Sequence, residues 1–162
     1  MNKFKNYLFS GLYGALFLLA IQGFGQELKI GGQVGGYGTD KASSIGYGAV
    51  FGVNPYGWIA FQADFATGQI KSETHYYFSP AIVIYPVDFQ EFRLGIIGGA
   101  GFYKEAGIST KFGSNGGISG DFNLTDNFAV GMQTRYHGVL DAPDLWTVFI
   151  TASYRYELGG AW

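Results

Sequence analysis

Eight stretches of the chain alternate between apolar side chains and polar or glycine positions with a period of two. That pattern fits a β-strand with two unlike faces and fits no helix. Three runs are especially regular. Leu28, Ile30, Gly32 and Val34 alternate with Lys29, Gly31, Gln33 and Gly35. Ile45, Tyr47, Ala49, Phe51 and Val53 alternate with Ser44, Gly46, Gly48, Gly52 and Asn54. Trp146, Val148, Ile150, Ala152, Tyr154, Tyr156 and Leu158 alternate with Thr147, Thr151, Ser153, Arg155 and Glu157. The other runs cover 59–66, 76–85, 93–102, 111–122 and 128–137. In the fourth, Pro80 lacks a ladder donor and predicts a bulge or a broken register. Tight turn sequences, Asn54-Pro55-Tyr56-Gly57, Pro86-Val87-Asp88 and Leu124-Thr125-Asp126-Asn127, alternate with longer polar links at 38–44, 67–75, 104–110 and 138–144. An even number of strands, with turns at one end and longer loops at the other, predicts an up-and-down closed barrel.

Composition excludes the main alternatives. Of 162 residues, 48% are hydrophobic, 19% aromatic and only 14% charged, which is the reverse of a disordered chain. There are 27 glycines without a triplet period, and no cysteine for a disulfide scaffold or a thiolate metal site. A formal net charge of −2 without a basic cluster argues against nucleic acid as a partner. Lys3 and Lys5, an apolar run over 7–21, and Gly23 and Gly25 predict a signal peptide over 1–25, cleaved near Gly25/Gln26, ahead of one barrel domain over 26–162. The apolar run is shorter than the ~20 residues of a spanning helix.

Alternation leaves open which face points inward, and the polar face decides it. That face is glycine-rich and sparsely charged, whereas a water-facing exterior carries many more lysines and glutamates. An eight-stranded barrel has a lumen just wide enough for side chains, where glycines leave room for long charged ones. The predicted fold is therefore all-β, an eight-stranded antiparallel up-and-down transmembrane β-barrel. Its lumen is expected to hold a polar network of Lys29, Gln33, Gln62, Asp64, Arg93, Asp121, Gln133, Arg135, Arg155 and Glu157. Aromatics near the strand ends predict interfacial girdles: Tyr56, Trp58, Tyr85, Phe92, Phe128, Tyr136, Trp146, Tyr156 and Trp162, with Tyr37, Tyr76, Tyr77 and Tyr103 at the loop end. A soluble lipocalin-like barrel is the alternative reading of the same alternation.

The Leu124-Thr125-Asp126-Asn127 turn leading into 128–137, and the final strand over 146–158 followed by Trp162, resemble the last hairpins of small OmpA/OmpX-type and opacity-type outer-membrane barrels. The resemblance implies a Gram-negative outer membrane, contact with its lipids and lipopolysaccharide, handling by the outer-membrane insertion machinery through Trp162 or Tyr156, and a monomer. That family spans adhesins, structural anchors, small pores and a few enzymes, and the role expected for this chain is structural or surface-associated and non-enzymatic. The alternatives are a narrow porin-like path for ions or small solutes and, third, a soluble periplasmic ligand-binding barrel. A wide pore needs about 16 strands. Neither His75 nor His137 stands at a recognisable spacing from a nucleophile and an orienting group, so no catalytic residue is expected. No cofactor motif occurs, and His137, Asp141 and Asp144, expected at a solvated rim, match no specific metal pattern.

Overall fold

The structure, a computed structural model, describes residues 26–70, 73–89, 91–105 and 109–158. The signal-peptide segment 1–25 and Trp162 lie outside the described residues. Eight strands follow in chain order: β1 (Gln26–Thr39), β2 (Ala42–Asn54), β3 (Ile59–Ile70), β4 (Glu73–Asp88), β5 (Phe92–Glu105), β6 (Lys111–Asn123), β7 (Phe128–Val139) and β8 (Leu145–Leu158). Each pairs antiparallel with its sequence neighbours, and β8 closes on β1, so the sheet is a closed barrel. One circuit of paired residues runs from Leu28 through Val53, Phe61, Ile82, Gly98, Gly116, Tyr136 and Trp146 back to Gly38. The ladder thus closes ten residues further along β1, the stagger that tilts strands against the barrel axis.

The exterior is apolar. Ile30, Val34, Phe51, Phe65, Ile96, Met132 and Ile150 are all exposed, while Lys29, Asp64, Asp121, Arg135 and Arg155 are buried. Water would penalise the first set and reward the second, so the distribution is that of a wall facing hydrocarbon around a polar interior. Closure also leaves no sheet edge unpaired in lipid.

Two expectations need correction. The register runs through Pro80 unbroken: Ala63 pairs with Pro80, and Phe78↔Phe102 and Ala81↔Gly99 keep one register on the other side. The irregularity lies between Ile84 and Val87, beside Pro86. There, near the barrel end, an extra residue is absorbed more easily than in the middle of the wall. Two of the four links read as long, 38–44 and 67–75, are mostly strand. β1 and β2 stay paired to Thr39↔Ala42, leaving only Asp40 and Lys41 as a turn, and β3 and β4 stay paired to Ile70↔Glu73. The link between β7 and β8 at that end spans 140–144, against 55–58 and 124–127 at the end holding Gln26 and Leu158. Strands of 12 to 16 residues exceed the ~9–11 that a tilted strand needs to cross a bilayer. Their polar ends remain hydrogen-bonded as rims beyond it.

The turns at the terminal end follow from their residues. Gly57 adopts φ 75°, and the Asn54 side-chain amide donates to the Gly57 carbonyl at 3.0 Å. In 124–127 the Thr125 hydroxyl accepts from the Phe128 amide at 3.0 Å, the local side-chain bond that favours Thr in turns.

Candidate functional site

The lumen is filled at three levels. At the terminal end, charges of alternating sign run across the barrel. Lys29 Nζ meets Asp121 Oδ2 at 2.7 Å, Arg155 Nη2 reaches the same oxygen at 3.2 Å, and Arg155 Nε lies 3.6 Å from Glu27. Arg93 then holds Glu27 at 3.0 Å and Asp88 at 2.7 Å, with its guanidinium over the Tyr85 ring. Five strands contribute, so the network ties together walls that the ladder alone connects only in sequence. Glycine makes the room: a Cβ on Gly131 would sit 2.2 Å from Asp121 Oδ1.

In the middle, Asp64 and Arg135 form a direct ion pair with both side chains wholly buried. Gln62 and Gln133 donate to Asp64 at 3.0–3.2 Å, Gln133 also donates to Gln33, and the Arg135 guanidinium reaches the Gln133 carbonyl at 3.2 Å. Asn115 and Ser79, joined at 2.8 Å, flank the guanidinium at 3.4 Å. A charge in this position is sustained by its partner and the surrounding amides.

Toward the loop end the lumen turns aromatic. Tyr37 stacks on Tyr77 at 6.1 Å, and Tyr77 packs on His137 at 5.0 Å. Ala66, Ile70, Tyr103, Leu145 and Phe149 complete one apolar cluster. His137 is fully buried, with Tyr103 Oη at 2.8 Å from Nδ1 and Thr147 Oγ1 at 3.3 Å from Nε2. Gly46 and Gly68 are the floor for Tyr37: a Cβ on either would lie 2.9 Å from that side chain. Above this plug the mouth opens as a recess of about 190 Å³ walled by Tyr37, His75, Tyr103, Glu105 and Lys111 among others.

Lys29, Gln33, Gln62, Asp64, Asp121, Gln133, Arg135 and Arg155 lie buried in the lumen, with Arg93 partly covered at its terminal end. Glu157 is exposed instead. It pairs in register with Glu27 at the last step of the wall, where the inward face opens to solvent, and Glu27 is the carboxylate that reaches both arginines. Of the expected girdle, Tyr56, Trp58, Phe92, Phe128, Tyr136 and Tyr156 are exposed and Trp146 is half-buried. Tyr85 is not part of it: it points inward, buried beneath Arg93. Tyr37, Tyr77 and Tyr103 likewise belong to the plug, not the girdle. Their parity gives the reason, since Tyr37 shares a face with Gln33, and Tyr103 with Gly99 and Gly101. His137 is a buried member of the plug rather than a solvated rim group, and the carboxylate of Asp144 instead accepts from Tyr136 and from the Val139 amide.

No protein-family model matches the chain, and comparison with curated proteins finds no match. Solved structures do match. The attachment invasion locus protein Ail of Yersinia pestis is 16% identical, with 83% of this chain and 100% of that one covered and a TM-score of 0.57. The N-terminal β-barrel domain of Pseudomonas aeruginosa OprF is 10% identical, with 79% and 97% covered and a TM-score of 0.64. The outer membrane protein OprG of the same organism is 11% identical, with 82% and 96% covered and a TM-score of 0.61. At these identities the likeness is one of fold. With its closed eight-stranded wall, apolar exterior and polar lumen, the chain has the fold of the small bacterial outer-membrane β-barrels.

Proposed function

We propose that the protein serves as a structural or surface-associated outer-membrane barrel, without catalysis, whose interior is a brace rather than a channel. The observation that carries this reading is the buried Asp64–Arg135 pair, cross-linked through Gln62 and Gln133 beneath the Tyr37–Tyr77–His137 plug. An ion crossing the lumen has to break that pair and displace packed rings. Small outer-membrane barrels of similar fold include an attachment and invasion protein, which is compatible with a role at the cell surface. The apolar wall is matched to outer-membrane lipids and lipopolysaccharide, and the barrel needs no second copy to close, which supports a monomer. Tyr156, exposed near the end of β8, suits a signal to the insertion machinery.

The second reading is a narrow path for ions or small solutes, favoured by the polar lining that continues from Lys29 through Gln133 to His137. Planar-bilayer recordings distinguish the two. The brace predicts no resolved steps for the wild type, with steps emerging once Tyr77→Ala and Arg135→Ala are combined. Steady wild-type conductance whose ion selectivity changes on substituting Arg135 or Asp64 overturns it in favour of the path.

A further inference from the structure

Above the plug, three side chains of metal-ligating type meet at the barrel mouth. Glu73 and His75 lie two residues apart on β4 and so share the inward face, and His75 is the register partner of Glu105 on β5. One ligand atom from each falls within 4.8 Å of the other two. We propose that Glu73, His75 and Glu105 bind a divalent transition cation, zinc above all, at the outward-facing mouth of the barrel.

The donor set is one imidazole nitrogen and two carboxylate oxygens, the borderline combination that suits zinc better than calcium or magnesium, which prefer oxygen alone. A tetrahedral shell with bonds of about 2.0–2.2 Å places ligand atoms roughly 3.3 Å apart, a separation that rotamer adjustments from the present spacing can reach. The fourth position falls to water, since the recess of about 190 Å³ is walled by His75 and Glu105. The ligands sit on paired strands rather than free loops, which preorganises them.

The cluster sets two carboxylates side by side against one imidazole, a juxtaposition of like charges that a divalent cation between them neutralises. The Tyr37 ring lies 6.4 Å from the imidazole and limits its swing. Lys111 and Asp141 also line the recess, but among the described residues no lysine or arginine is ion-paired with Glu73 or Glu105. The spacing of these residues in the chain has no metal signature, because the site is assembled by strand register.

The test is titration of the full barrel, refolded in detergent and stripped with EDTA, with zinc chloride by calorimetry, and with cobalt(II) for its tetrahedral visible bands. The expected result is one zinc per barrel with a Kd in the micromolar range, and weakening of at least about tenfold in both His75→Ala and Glu105→Gln. Asp126→Asn, in the turn at the opposite end, is expected to bind as the wild type does. Each variant's heat-dependent gel mobility reports that it is folded. Absence of binding up to about 1 mM zinc, or binding that survives His75→Ala with less than about threefold weakening, overturns the proposal.

Discussion

Arg135→Leu is expected to destabilise the barrel by about 3–5 kcal/mol, because it strands the Asp64 carboxylate in the lumen with no cation. The loss is read from urea unfolding of the refolded protein in phospholipid vesicles, followed by tryptophan fluorescence. Asp64 then keeps only the amides of Gln62 and Gln133, which satisfy its hydrogen bonds but leave its charge uncompensated. Asp64→Leu is expected to cost a similar amount by orphaning the guanidinium. The double variant is expected to cost distinctly less than the sum, since an apolar pair of comparable volume often replaces a buried ion pair at little cost. Additive single effects would contradict the pairing. A negligible effect of Arg135→Leu alone would mean that water reaches the middle of the lumen freely, which favours the conducting reading.

The second large effect lies on the outer wall. Ile150 is 59% exposed near the middle of β8 and stands beside Met132 of β7, itself 56% exposed. For a water-facing strand, Ile150→Arg is a nearly neutral surface change. For a lipid-facing strand it places a guanidinium in hydrocarbon, at about 2–4 kcal/mol near the bilayer midplane. Unfolding from vesicles is expected to show that loss, and Tyr156→Arg near the strand end is expected to show only about 0–1 kcal/mol. Equal and negligible costs at both positions would place water outside the barrel.

Much of the fold was legible because lipid and a cramped lumen impose opposite demands on alternate residues. In β1, β2 and β8 those demands coincide with the apolar and polar classes, so period, strand number and facing follow directly. β4 shows where this breaks down. Tyr77, Ala81, Val83 and Tyr85 face inward while Phe78, Ile82 and Ile84 face outward, and hydropathy cannot separate two apolar faces. The same ambiguity put Tyr37, Tyr85 and Tyr103 in the girdle, although the parity of Tyr37 with Gln33 places it inside. Strand ends misled for a different reason: outside hydrocarbon, polar residues pair as readily as apolar ones, so 38–44 and 67–75 read as loops yet lie mostly in the ladder. Of the lumen network, the charges in mid-strand were visible by parity. The exchange of Glu157 for Glu27 and the meeting of His75 with Glu105 depend on register and on which rim side chain bends inward, which alternation does not encode.

The central claim is that a closed barrel has its apolar face in an outer membrane and its polar face within. Electrophoretic mobility of the purified protein refolded in detergent, compared with and without boiling and set beside its fractionation in cells, tests this most directly. The closed, lipid-facing barrel predicts a heat-dependent shift in mobility together with recovery in the outer-membrane fraction. Recovery in the periplasm without detergent, and one mobility regardless of boiling, would contradict it and make a soluble ligand-binding barrel the better account.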